Sequence, residues 1–269
     1  MKGMKGAAIL LAVLLTGCAG DISADLPETV PAEPLSAPAV VTEGRPWTED
    51  GELPTELRGL RDWDQAAEPV AQLARTTDAA LYGLAGGEDR LLLQWGDALA
   101  EFDWPYRTPR TVDPRLWQVD ADGDGAGELA VVCYSGSGTG VSVEQLHIVD
   151  KNEDGTLYDY CFPNDLWQEQ FSRKLSVQTA EGRVFAVLGR ELCDIGEELD
   201  FLDPDLITGM DTGNAIGFRV EDGRICCLGT ARITAEGYAD GWYVAGLSAD
   251  VSYKDGVFTL DHFHLDSLD

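Results

Sequence analysis

Four carboxylates crowd into WQVDADGDGAGELAVV at residues 117–132: Asp120, Asp122, Asp124 and Glu128. Like charges this close repel one another unless a cation sits between them. With Asp120 as position one, the acids stand at positions one, three, five and nine. Gly125 at six permits a sharp turn, and the Ala126 carbonyl at seven can face inward. Alternation keeps Ala121 and Gly123 clear of the centre. Calcium is a hard cation taking roughly six to eight oxygens, and this spacing wraps oxygens about one point. The expected ligands are Asp120, Asp122, Asp124, Ala126 and Glu128. The plain alternative is an Asp/Gly turn without metal, although such turns seldom need four carboxylates.

An EF-hand would require a bidentate Glu at position twelve and a helix on each side. Position twelve is Val131, and the flanks LWQV and LAVVCY are rich in β-branched and aromatic residues, which predict strands. The loop therefore joins strands. It resembles the D-x-D-x-D-G-x-x-D/E loops of FG-GAP and VCBS-type repeats, found in integrin-like propellers and bacterial surface proteins. In that family the ninth-position carboxylate closes the site, which falls on Glu128, a Glu where Asp is commoner. The acidic loop, the following YSGSGTGVSVEQLHIVD and the late GWYVAGLSADVSYKDGVFTL also resemble a set of Firmicutes-type bacterial lipoproteins. That resemblance carries no activity with it.

Other stretches point more weakly to chemistry. SGSGTG lacks the Gly-Lys-Ser/Thr ending of a phosphate loop and reads as a turn. DKNEDG repeats half of the acidic pattern, but Tyr158 stands at its ninth position, so a hairpin turn is expected. His262 and His264 stand i, i+2 on a predicted strand, an arrangement that can hold zinc or copper, though two ligands rarely suffice. FDWPY at 102–106 could form a sugar-binding aromatic platform, but its apolar neighbours favour core. No G-x-S-x-G elbow occurs, and the carboxylates are too many to single out a glycosidase pair. No catalytic residue and no organic cofactor site is assigned.

The N-terminus predicts export. Lys2 and Lys5 precede the apolar run Ala7–Leu15, which is too short to span a bilayer. LTGC at residues 15–18 resembles a bacterial lipobox. It implies that residues 1–17 are removed as a signal peptide and that Cys18 carries diacylglycerol, anchoring the chain to the membrane from outside the cytoplasm. Formal charge is −29, and residues 1–17 contribute two lysines and no acid, so the chain from Cys18 carries −31. Such a surface repels nucleic acid and favours cations. Beyond Cys18 the cysteines are Cys133, Cys161, Cys193, Cys226 and Cys227. An odd number leaves at least one unpaired, and without C-x-x-C a zinc framework is not expected. Cys133 is expected in the core, and Cys226 and Cys227 on opposite strand faces.

Residues 18–55 hold six of the twelve prolines and no apolar periodicity, and predict a disordered, acidic, extended tether. Residues 56–269 suit one domain. WDQAAEPVAQLARTT from Trp63 and LWQEQFSRKL from Leu166 predict one or two short helices. The rest alternates in strands broken by turn dipeptides: AALYGL and DRLLLQWGD, then SVQTAEGRVFAVLG, IGFRVEDGRICCLG and DVSYKDGVFTL. The expected class is mainly β, built of antiparallel hairpins, as propeller-like blades or a sandwich. Without a repeat of fixed period a full propeller is disfavoured. The expected function is a lipid-anchored extracytoplasmic binding or scaffold module, stabilised by structural calcium and facing a protein or glycan ligand. The alternative is a glycan or cell-wall hydrolase with a supporting calcium.

Overall fold

A computed structural model describes residues 35–49, 51–86, 89–107 and 109–268. All fall within the compact unit Pro34–Asp269. The signal segment, Cys18 and the chain to residue 34 lie outside the described residues.

Three short strands open the unit: β1 (Ser36–Pro38), β2 (Val40–Glu43) and β3 (Arg45–Pro46). This corrects the tether expected over 18–55, because residues 36–46 pair. β1 pairs β18 (Val257–Ser267), β2 pairs β11 (Leu157–Cys161) and β3 pairs β7 (Ala98–Phe102). Each adds to a sheet margin, where a proline's missing N–H costs no ladder bond.

β4 (Val70–Arg75), β5 (Ala79–Leu84), β6 (Leu91–Trp95) and β7 complete a five-stranded sheet in the order β3-β7-β6-β5-β4. The helix expected from Trp63 is absent. Residues 60–67 form turns and Val70 begins β4. Pro69 cannot continue a helix, and pairing with β5 claims the apolar residues that follow.

β8 (Arg115–Val119), β9 (Glu128–Gly138), β10 (Val141–Lys151) and β11 run as successive antiparallel pairs. They merge with four long strands, β15 (Ile207–Glu221), β16 (Arg224–Ala235), β17 (Trp242–Lys254) and β18, into a ten-stranded sheet. The join is a short parallel pairing, Ser142↔Ala215 and Val143↔Ile216, within an otherwise antiparallel sheet. Among the described residues a single α-helix, α1 (Asn164–Ser172), meets the expectation from LWQEQFSRKL. After it, β12 (Leu175–Ala180), β13 (Arg183–Leu188) and β14 (Glu191–Asp194) make a three-stranded sheet. The fold is mainly β, with no closed barrel among the described residues.

The hairpin turns follow from local chemistry. Asp222 and Gly223 both take positive φ (49° and 77°), as the favoured two-residue hairpin turn demands. Glu181-Gly182 and Asp255-Gly256 do the same.

β9 is buried from Glu128 through Tyr134, which explains its continuous apolar run. Its residues alternate between two cores. Leu129, Val131 and Cys133 face a core shared with Leu81, Leu93 and Phe102 of the five-stranded sheet. Ala130 and Val132 face a larger core with Trp167 and Phe171 of α1, the β12–β13 hairpin and the long strands.

Candidate functional site

The acidic loop spans the turn of the β8–β9 hairpin, whose strands register from Val119↔Glu128 to Arg115↔Val132. The flanks are strands, as expected. Asp120, Asp122 and Asp124 each place one carboxylate oxygen within 4.8 Å of the others. Loop amides hold them there. Asp120 accepts from the N–H of Gly123 (2.8 Å) and Gly125 (3.2 Å). Asp122 accepts from Asp124 N–H at 3.0 Å, and Asp124 from Ala126 N–H at 2.7 Å.

Glu128 stands apart from this group. It is buried at the base of the loop, and its Oε2 accepts the Ala121 N–H at 2.7 Å. Burial, with Asp122 and Asp124 nearby, pushes its carboxyl above the usual range against the pull of that N–H. Of the five expected ligands, then, the fold gathers three aspartates, holds Glu128 beneath them, and shows Ala126 contributing its N–H to Asp124. A hard cation fits this donor set: it takes oxygens, and it offsets the mutual repulsion of the three aspartates.

The loop forms one wall of a cleft of about 430 Å³. Asp250, Asp261 and His262 line the same cleft. His262 sits at a β-bulge with φ +47°, its Nδ1 2.9 Å from Asp261 and 3.1 Å from Asp250. Arg224 also pairs Asp250, at 2.8 Å. His264 contacts a different pair, Glu191 at 3.0 Å and Asp266 at 2.9 Å. The bulge thus separates the two histidines that i, i+2 spacing would have placed together. DKNEDG closes the β10–β11 hairpin as a turn, with Gly155 N–H on the Asn152 carbonyl at 2.9 Å.

Comparison with protein-family models, curated proteins and solved structures returned no match.

A second constellation escaped sequence reasoning. His147 on β10 is buried, and its Nδ1 lies 3.0 Å from both oxygens of Asp159 on β11. Trp104 Nε1 donates to the same carboxylate at 2.7 Å. Phe102 stacks on Trp104 with ring centroids 4.3 Å apart, and Trp104 meets His147 at a tilt with centroids 4.7 Å apart. FDWPY is core, as expected: Phe102, Trp104 and Tyr106 are all buried. The partner of the Trp104 polar tip lies 55 residues away, beyond any local pattern. All five cysteines beyond Cys18 are free. Cys133 and Cys227 are wholly buried, and burial pushes both thiols far up.

Burial alone would push the His147 imidazole down, but the Asp159 carboxylate, aided by Cys161, outweighs it and raises the group to about 9. The folded value lies above the unfolded one. The resulting stabilisation is therefore complete below about pH 6.5 and lost as pH rises through about 9. We expect stability to fall by about 3 kcal/mol between pH 7 and 10. Urea unfolding across that range checks it, and a flat profile would refute it.

Proposed function

We propose that this chain is an extracytoplasmic β module stapled by one calcium ion and tethered to the membrane by lipid on Cys18, with a binding or scaffold role. The observation that carries the calcium assignment is the convergence of Asp120, Asp122 and Asp124 at the tip of a hairpin rooted in the ten-stranded sheet. These aspartates hold the ion through carboxylate oxygens. Glu128 supplies buried negative charge beneath them, and the Ala126 carbonyl remains a candidate ligand. Calcium here ties β8 to β9, a structural task.

An exposed aromatic cluster supports a binding role. Phe201 and Tyr238 are 55 % and 48 % exposed and pack edge-on against Trp242, at 5.2 and 4.8 Å. Rings left in water offer a face to a glycan or a protein partner. The acidic surface makes nucleic acid a poor ligand. A hydrolase is the second reading, favoured by the cleft that Asp120, Asp122, Asp250 and Asp261 line together.

Calcium that binds only the folded chain adds about 2.7 kcal/mol at 100-fold over its dissociation constant. For a domain of this size that raises Tm by about 5–10 °C. Calorimetry and melting with and without chelator should show this in the wild type and not in the double variant Asp120→Ala, Asp124→Ala. Equal melting in all four conditions sinks the staple. Mass spectrometry of the mature protein tests lipid on Cys18, and glycan-array binding against turnover of cell-wall glycan separates module from hydrolase.

A further inference from the structure

We propose that Asp250, Asp261 and His262 form a second metal site, separate from the acidic loop, for a divalent transition ion of the zinc class. Each of the three side chains places a ligand atom within 4.8 Å of the other two. All three line the cleft of about 430 Å³, so an ion and its water reach them from solvent. Sheet register and a bulge build the set. Asp250 on β17 and Asp261 on β18 are register partners. Neighbours on a regular strand point to opposite faces, so His262 would normally turn away from Asp261. The pairing slips between Ser248 and Asp250, and His262 takes its positive φ there. A bulge re-aims side chains in this way. It brings Nδ1 to 3.1 Å from Asp250 Oδ2 and 2.9 Å from Asp261 Oδ1.

Each carboxylate divides its two oxygens. Cys226, the register partner of Asp250 on β16, donates its S–H to Oδ1 at 3.6 Å. Ser252 donates to Asp261 Oδ2 at 3.0 Å. Neighbours thus hold the far oxygens, as the outer partners of metal ligands do, and the two near ones converge on a single ring nitrogen. Nδ1 carries at most one proton, and only its contact with Asp250 is aligned as a hydrogen bond. A cation between the three atoms serves all of them at once. Zinc bonds of about 2.0–2.1 Å at tetrahedral angles set ligand atoms roughly 3.3 Å apart. The two N···O distances fall a little short of that, so small shifts seat the ion.

The donor set selects the ion. Calcium takes oxygens, whereas an imidazole with two carboxylates suits zinc and its transition-metal neighbours. Three protein ligands leave a further position for water or an anionic group from the cleft. Arg224 also reaches Asp250 Oδ2, at 2.8 Å, but its side chain is 63 % exposed and yields that oxygen at little cost. His264 gives the contrast. Its two nitrogens meet separate carboxylates, Glu191 and Asp266, and no second oxygen converges on either.

The test strips the full chain with chelator, saturates it with calcium, and then titrates zinc by calorimetry and cobalt(II) by visible absorption. Calcium heat reports the acidic loop and zinc heat this site, so failure of one reads separately from failure of the other. Wild type is expected to take up zinc, and its cobalt complex to show the intense bands of a four- or five-coordinate ion. His262→Asn is expected to weaken zinc binding at least ~10-fold, because asparagine tolerates the positive φ but lacks the imidazole. His264→Asn is expected to leave zinc affinity unchanged. Equal zinc affinity in wild type and His262→Asn means an ion scattered over acidic surface and overturns the proposal. So does a six-coordinate cobalt spectrum in the wild type, whether or not the variants fold.

Discussion

Asp159→Ala is expected to destabilise the domain by about 3–5 kcal/mol, the cost of removing one partner from a buried ion pair. The carboxylate serves two donors, His147 Nδ1 and Trp104 Nε1, and both side chains are buried beside it. Alanine leaves an imidazolium without its counter-charge and an indole N–H without an acceptor, in a place water does not reach. The histidine answers by losing its proton, which recovers part of the loss. The variant should therefore be insensitive to pH where the wild type weakens between pH 7 and 10. Asp159→Asn sharpens the comparison, because its side-chain oxygen can still accept one of the two N–H groups. It should fall between alanine and wild type while also losing the alkaline dependence. Urea midpoints at pH 7 and pH 10 for the three proteins read both effects. An alanine variant within 1 kcal/mol of wild type at pH 7 would show that the network contributes little.

Trp167→Ala is expected to cost about 3–5 kcal/mol for a different reason, a cavity. Trp167 is 2 % exposed and is the largest of the fully enclosed side chains. It stands on α1, meets Phe171 edge-on at 5.5 Å and fills the space over Gly229 on β16. A Cβ at Gly229 would lie 2.7 Å from the indole ring, so the glycine exists to admit the tryptophan. The helix has no side-chain cap at its N-terminus, and its hold on the sheet comes from Leu166, Trp167 and Phe171, together with a Gln170 hydrogen bond to the Leu35 carbonyl. Removing the indole should loosen α1 before the long strands. Hydrogen exchange would show protection lost first across residues 164–172, and uniform loss over the whole sheet would contradict that order.

These two sites differ in how far they could be anticipated. The helix around Trp167 was readable, because Leu166, Trp167, Gln170 and Phe171 recur at the spacing of one helical face. The acidic loop was readable because its ligand geometry is local: all of its carboxylates lie within nine residues and loop amides hold them. The paired positive-φ turns were readable for the same reason. Trp104, His147 and Asp159 come from three separate segments and carry no motif, so only sheet register brings them together.

Local and periodic features were legible in the residues: a mainly β chain, where its hairpins turn, and which loop gathers aspartates. Each rests on backbone preferences or ligand spacing within a dozen residues, and these act before any distant contact forms. Tertiary structure alone decided the fate of marginal segments. Residues 36–46, proline-rich and without periodicity, became strands because open sheet margins offered them partners. The stretch after Pro69 became β4 because β5 lay beside it. Glu128 turned toward a backbone amide beneath the aspartates. In all three the local preference is worth less than the hydrogen bonds and burial that a neighbour supplies, and the neighbour is set by the whole chain.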